Sequence, residues 1–165
     1  MDGGFSCGPA SQEGLERIWE KNIARNRDDS RWARWREEAL KNFAAGQTAP
    51  FLVYRNDEPV GEGTLVFSPA CEAVRGRTCL ADGSSTANIN ALRIERAYEG
   101  QGHISALMRM MEAHAASLGY RYLTIGVEAA ESRNLAIYLH WGYTEFVMSE
   151  IEDGALVLYY RKKLN

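Results

Sequence analysis

The six residues Glu99-Gly100-Gln101-Gly102-His103-Ile104 stand between a strand-like stretch and a strongly amphipathic one. Glycines let a backbone approach an anion closely. The first N–H groups of a helix have no partner within it and point outward. The N–H groups of Gln101 to Ser105 are therefore candidate phosphate donors, and the Ser105 hydroxyl adds another. No Gly-Lys-Ser/Thr follows the turn, so it is not a nucleotide P-loop. Gly102 is followed by His103, Ile104 and Ser105, which breaks the GxGxxG dinucleotide spacing. On the residues alone, the same turn serves equally as a helix start with no ligand. His103, His114 and His140, with Cys7, Cys71 and Cys79, have no metal-ligand spacing, so no metal is expected.

The elements that hold this turn are read from periodicity. Phe5–Ala10 is a short strand. Gln12–Arg25 is a helix with Ser11 as N-cap and Leu15, Ile18, Trp19, Asn22 and Ile23 at helical spacing. A second helix, Arg31–Ala45, is stopped by Gly46. Phe51–Tyr54 and Val60–Phe67 pair as a hairpin about Asn56-Asp57. Ser68–Ser85 is a long polar loop, of a length that often serves function. Thr86–Glu95 is a strand. After the glycine turn, Ile104, Leu107, Met108, Met111, Ala115 and Leu118 form one helical face, closed by Gly119. Tyr122–Val127 is a strand, and Arg133–Trp141 is a helix with Ser132 as N-cap. Thr144–Ile151 and Ala155–Arg161 form a hairpin about Asp153-Gly154.

Composition bounds the function. A chain of 165 residues with 45% hydrophobic and 25% charged residues is an ordinary globular domain. Lys and Arg number 19 against 22 Asp and Glu, a formal charge of −3, with no basic run that would suggest nucleic acid. No apolar run reaches the roughly 20 residues of a membrane span. Met1–Pro9 lacks the features of a signal peptide. A cytoplasmic protein, residues 1–165 in a single domain, is expected, with its cysteines reduced.

The stretch Ala91 to Met108, through the glycine turn, resembles the fourth strand, pyrophosphate loop and third helix of the GNAT (GCN5-related N-acetyltransferase) superfamily. It matches the family's Arg/Gln-x-x-Gly-x-Gly/Ala at Gly102. It departs at Glu99 and Ile104. A second block, Asn134, Ala136, Tyr138 and Gly142-Tyr143, resembles the family's fourth helix. Asn134 lies closer to Tyr138 than the family's pantetheine-contacting Asn usually does. The resemblance implies an α+β fold with a mixed, mostly antiparallel sheet of roughly six or seven strands and about four helices, the fourth and fifth strands splayed. It implies acetyl-CoA as co-substrate, held by Leu92, Ile94, Gly100, Gln101, Gly102, His103, Ile104, Ser105 and Asn134.

The implied reaction moves an acetyl group to a primary amine by direct attack in a ternary complex. Amines with a pKa around 10 are protonated at neutral pH, so a proton acceptor is needed. Glu128 is the first candidate, Glu62 the second and Glu95 the third, with a water chain through Asn88 or Asn90 as the alternative. Charge developing on the carbonyl oxygen calls for an N–H donor, from Leu92 or a neighbour. Tyr138 holds the family's general-acid position. The acceptor is expected over Glu62, Asn88, Glu128 and the first two helices. A small-molecule or peptide amine fits, and an aminoglycoside or polyamine is the alternative within enzymes. A non-catalytic acyl-CoA sensor is the alternative outside them. A homodimer through the C-terminal hairpin is compatible with the pattern.

Other residues have plainer readings. Trp19, Trp32 and Trp35 are core or a rim of the acceptor pocket. Arg75 and Arg77 are solvated, or reach the 3′-phosphate of CoA. The His103 N–H matters more than its imidazole.

Overall fold

A computed structural model describes residues 3–165. In chain order the elements are β1 (Phe5–Pro9), α1 (Gln12–Arg25), α2 (Arg31–Ala44), β2 (Thr48–Arg55), β3 (Glu58–Val66) and β4 (Thr86–Ile94). A 3-10 turn (Arg96–Tyr98) follows, then α3 (His103–Ser117), β5 (Tyr122–Glu128), α4 (Ser132–His140), β6 (Glu145–Glu152) and β7 (Ala155–Lys163). The seven strands form one sheet in the order β1-β2-β3-β4-β5-β7-β6. The expected α+β fold is therefore present, with seven strands and four α-helices among the described residues. The chain divides into two compact units. One comprises residues up to Leu65 with Ala91–Ala113, and the other comprises Val66–Asn90 with His114–Asn165.

In the first unit, Ser11 caps α1 as its residue type predicts, its Oγ accepting from Gly14 N at 3.0 Å. Leu15, Ile18 and Trp19 of α1 are buried with Leu52 of β2, and Trp32, Trp35 and Phe43 of α2 pack against them. Trp19 is core, while Trp32 and Trp35 are only half-buried. β1 pairs antiparallel with β2 from Phe5↔Arg55 to Pro9↔Phe51. On β3, a Cβ at Gly63 would lie 2.8 Å from Met111 Cε and 2.9 Å from Leu92 Cδ1. Glycine here lets α3 and β4 approach the strand closely.

In the second unit, β4 and β5 run parallel from Thr86↔Tyr122 to Ile89↔Ile125. The rest of β5 pairs only with β7, antiparallel through Glu128↔Val157. The pairing of β4 with β5 thus stops midway along both strands. β6 and β7 close as a hairpin about Asp153 and Gly154, at φ +50° and +82°, as the Asp-Gly pair predicts.

Three expectations are corrected here. Residues 68–85 are not an open polar loop. Cys71, Val74, Leu80 and Ala81 are buried in one cluster with Val66 and Tyr159, because the segment's scattered apolar residues follow successive turns rather than one repeat. Arg77 is not solvated. It pairs with Glu150 at 2.6 Å and Glu152 at 3.4 Å, and lies 5.0 Å over the Tyr159 ring. Burial, and then the bond to Glu152, push the Tyr159 phenol up to about 12. Ser132 is the first residue of α4 rather than its cap. Glu131 stands at the cap without a side-chain bond to the helix. Among the described residues no helix is long and apolar enough to cross a membrane.

Candidate active site

The glycine turn opens directly into α3. Gly100 and Gly102 sit at φ +73° and +87°, where a side chain would be strained. The helix ladder begins with Ala106 N donating to Gly102 O at 3.0 Å. The N–H groups of His103, Ile104 and Ser105 therefore precede the ladder, as the first donors of any helix do. One turn on, Arg109 Nη1 donates to Ser105 Oγ at 2.8 Å. This leaves the hydroxyl proton able to donate elsewhere and sets a guanidinium beside the turn. Arg109 went unnoticed in the sequence; its i+4 spacing from Ser105 was the available signal. Glu99, the acid beside the turn, is exposed, so water screens its charge.

An aromatic stack fixes the turn from below. The His103 ring lies on Phe5 of β1 at 4.1 Å and 28°. Tyr98 meets Phe5 edge-on at 5.2 Å, and Arg55 Nη1 donates to the Tyr98 hydroxyl at 2.9 Å. The His103 imidazole thus anchors the loop. These residues fit a pyrophosphate-bearing ligand: glycine backbone, free helix-start N–H groups, a hydroxyl and one nearby cation.

On β4 in the same unit, Ala91 has φ +56°. A non-glycine residue there marks a kink in the strand. Leu92 and Ile94, beyond it, turn toward Gly63 and Gly61 respectively. Arg93, between them, turns the other way, onto Glu62 and Trp19. Glu62 is only 3% exposed and accepts from Asn22 Nδ2 at 2.7 Å. Glu95 pairs with Lys21 at 2.8 Å and Arg25 at 3.0 Å. Both of these alternative bases are already bound to cations.

In the second unit, Tyr138 on α4 is half-buried beside Trp141, ring centroids 5.9 Å apart. Burial, and then the charge of Glu131, raise its phenol above the usual value. Tyr138 therefore carries its proton throughout the neutral range. Glu128 ends β5, exposed, and its carboxylate has no partner among the described residues. Asn134 donates to Glu131 Oε2 at 2.8 Å and is exposed. Asn88 is buried and donates to Thr124 Oγ1 at 2.9 Å, and that hydroxyl donates to Leu80 O at 2.8 Å. Asn88 thus serves the core, while Asn90 is exposed.

The family model described as "Acetyltransferase (GNAT) family" matches residues 12–143. The chain belongs to this family of acetyl-CoA-dependent acetyltransferases. No curated protein matches the sequence. Solved structures share the fold at low identity. One is a GNAT family acetyltransferase from Elizabethkingia anophelis with acetyl-CoA bound, at TM-score 0.61 and 14% identity, covering 98% of this chain and 99% of that one. An acetyl transferase from Salmonella typhimurium that modifies the N-terminal serine of a 50S ribosomal subunit protein gives TM-score 0.69 and 13% identity, covering 98% and 96%. A spermidine N-acetyltransferase chimera from Vibrio cholerae and hSSAT gives 0.70 and 14%, also covering 98% and 96%.

Proposed function

We propose that the chain transfers an acetyl group from acetyl-CoA to a primary amine by direct attack in a ternary complex. The observation that carries this reading is the glycine turn, whose helix-start donors suit the phosphates of CoA. Backbone N–H groups of Gln101 to Ser105, with the Ser105 hydroxyl, hold the pyrophosphate, and Gly100 and Gly102 let it approach. Leu92 and Ile94 offer backbone groups to the pantetheine and the reacting carbonyl, on a strand kinked at Ala91. Asn134 adds a polar contact once released from Glu131. Acetyl-CoA supplies the acetyl thioester.

The chain's residues then handle protons. Glu128, exposed and unpaired, takes the proton from the incoming ammonium, directly or through water. The N–H of Leu92 meets the charge that develops on the carbonyl oxygen. As the C–S bond breaks, Tyr138, kept neutral by its surroundings, gives its proton to the leaving sulfur, and the second proton that the amine nitrogen loses returns through water to the phenolate. The two units work as one domain over residues 1–165, a reading supported by a family match that runs through both. A cytoplasmic location suits a protein that draws on acetyl-CoA.

Two assays test the proposal. Acetyl-CoA raises Tm by several degrees at ligand well above Kd, and the protein releases CoA thiol with at least one member of an amine panel. No thermal shift at millimolar acetyl-CoA overturns the binding role. A shift without thiol release overturns the transferase role and favours a sensor.

A further inference from the structure

The side of β4 that faces α1 and α2 carries an arginine whose bonding is only partly used. Arg93 Nε donates to Glu62 Oε2 at 3.2 Å, and Asn22 Nδ2 donates to the same oxygen. The guanidinium carbon lies 4.9 Å from the Trp32 ring centroid and 5.5 Å from that of Trp19. The two indoles are themselves 6.2 Å apart. Glu62 and the two indoles thus all lie against the guanidinium. A guanidinium has five N–H donors. Arg93 commits one of them, and among the described residues neither Nη group has a hydrogen-bond partner. The side chain keeps 36% of its surface in water.

This is a preorganised fork with its donor edge open. Two parallel N–H groups on a fixed plane match the two oxygens of a carboxylate. A residue whose purpose was only to neutralise Glu62 would turn its two-pronged face toward that carboxylate. Arg93 instead uses Nε for Glu62 and leaves the prongs free. Its position adds to the argument. Arg93 lies between Leu92 and Ile94, two residues beyond the kink at Ala91, on the strand assigned above to the reacting carbonyl.

We propose that Arg93 binds the carboxylate of the acceptor, so that the substrate is an amine that also carries a carboxylate, as an amino acid does. This rests on the transferase reading above. Charge balance favours a monoanion. Arg93 and Glu62 sum to zero charge, so an amino acid brings one negative charge that its own amine offsets, whereas a phosphate dianion brings two with nothing to offset them. A polyamine would have to bring an ammonium against a guanidinium. The exposed parts of Trp32 and Trp35 offer apolar surface to the body of such a substrate. Glu62 and Asn22 are positioning residues, acting through Arg93.

The test has a binding arm and a turnover arm. In the first, N-acetylphenylalanine, N-acetylphenylalaninamide, inorganic phosphate and spermidine are titrated calorimetrically into the wild-type protein. The acid is expected to bind at least tenfold more tightly than the other three. Arg93→Gln strands a buried Glu62, so the neutral pair Glu62→Gln/Arg93→Gln is measured beside it, and each variant is checked by its melting curve. The preference for acid over amide is expected to vanish in the double variant. Arg93→Lys, which keeps the charge without the fork, restores only part of it. Equal binding of acid and amide, tighter binding of phosphate or spermidine, or a preference that survives in the double variant overturns the proposal. In the second arm, CoA release is followed with amino acids and their carboxamides. The ratio of kcat/KM, acid over amide, is expected to be at least tenfold in the wild type, to fall part-way in Arg93→Lys and to vanish in the double variant. If acetyl-CoA binds but no amine releases CoA, the transferase reading falls, and the binding arm still decides whether Arg93 takes a carboxylate.

Discussion

Tyr138 is the residue on which the proposed chemistry depends most directly. A phenol gives up its proton easily only when its surroundings favour the anion, and here burial and Glu131 favour the neutral form. Raising the pKa keeps the proton in place at working pH and pushes its loss to higher pH. Tyr138→Phe is expected to lower kcat by about 10²-fold, the usual scale for a general acid. The KM for acetyl-CoA should change little. In the wild type, kcat should fall only at a pH above the ordinary phenol range, because burial holds the proton on, and in Tyr138→Phe that alkaline limb should disappear. A variant with unchanged kcat across pH removes Tyr138 from the acid role. The position was legible through its spacing to Gly142-Tyr143. The engagement of Glu62 and Glu95 was not. Each reads in sequence as a single carboxylate, and the cations that occupy them come from α1 and β4.

The turn between the 3-10 segment and α3 is the element that carries the binding argument. Its φ values at Gly100 and Gly102 are open to glycine at little cost, and an L-residue there pays roughly 1–2 kcal/mol. Gly102→Ala should therefore misdirect the N–H groups that follow it. The expected result is a KM for acetyl-CoA raised about tenfold, and loss of most of the acetyl-CoA thermal shift, while the apo protein melts within a few degrees of wild type. A variant that keeps the full shift would show that the turn is only a helix start. The helix itself was readable with little error. The face of Leu107, Met108, Met111 and Ala115 is buried as its spacing predicts. Leu118 was expected on that face too. It lies beyond the last turn and is 53% exposed, since periodicity does not mark where a helix leaves its support.

Across the whole molecule, stability depends on networks that join distant segments. In the second unit, Arg77 ties the segment before β4 to β6 and β7 through Glu150, Glu152 and Tyr159. Arg77→Met should destabilise the protein by about 2–4 kcal/mol, because Glu152 and the Tyr159 hydroxyl lose a largely buried partner. Acetyl-CoA KM should stay within twofold, which separates this role from a 3′-phosphate contact. The check is denaturant unfolding beside a KM measurement. A raised KM with unchanged stability would reverse the assignment.

What the amino-acid sequence determined by itself is whatever depends on neighbours a few positions away. The strand segments, the amphipathic faces of α1 and α3, the Ser11 cap, the Asp153-Gly154 turn and the glycine turn are of this kind. Their energies are local, so their patterns are written along the chain. The order of strands, the burial of Cys71, Val74, Leu80 and Ala81, and the partners of Glu62, Arg77 and Arg93 were decided only in three dimensions. Glu62 and Arg93 stand 31 residues apart. Whether such a carboxylate is a free base or half of an ion pair depends on which strand lies beside it and on which face. No short-range period encodes that, because strand pairing and helix docking set it after the local elements exist.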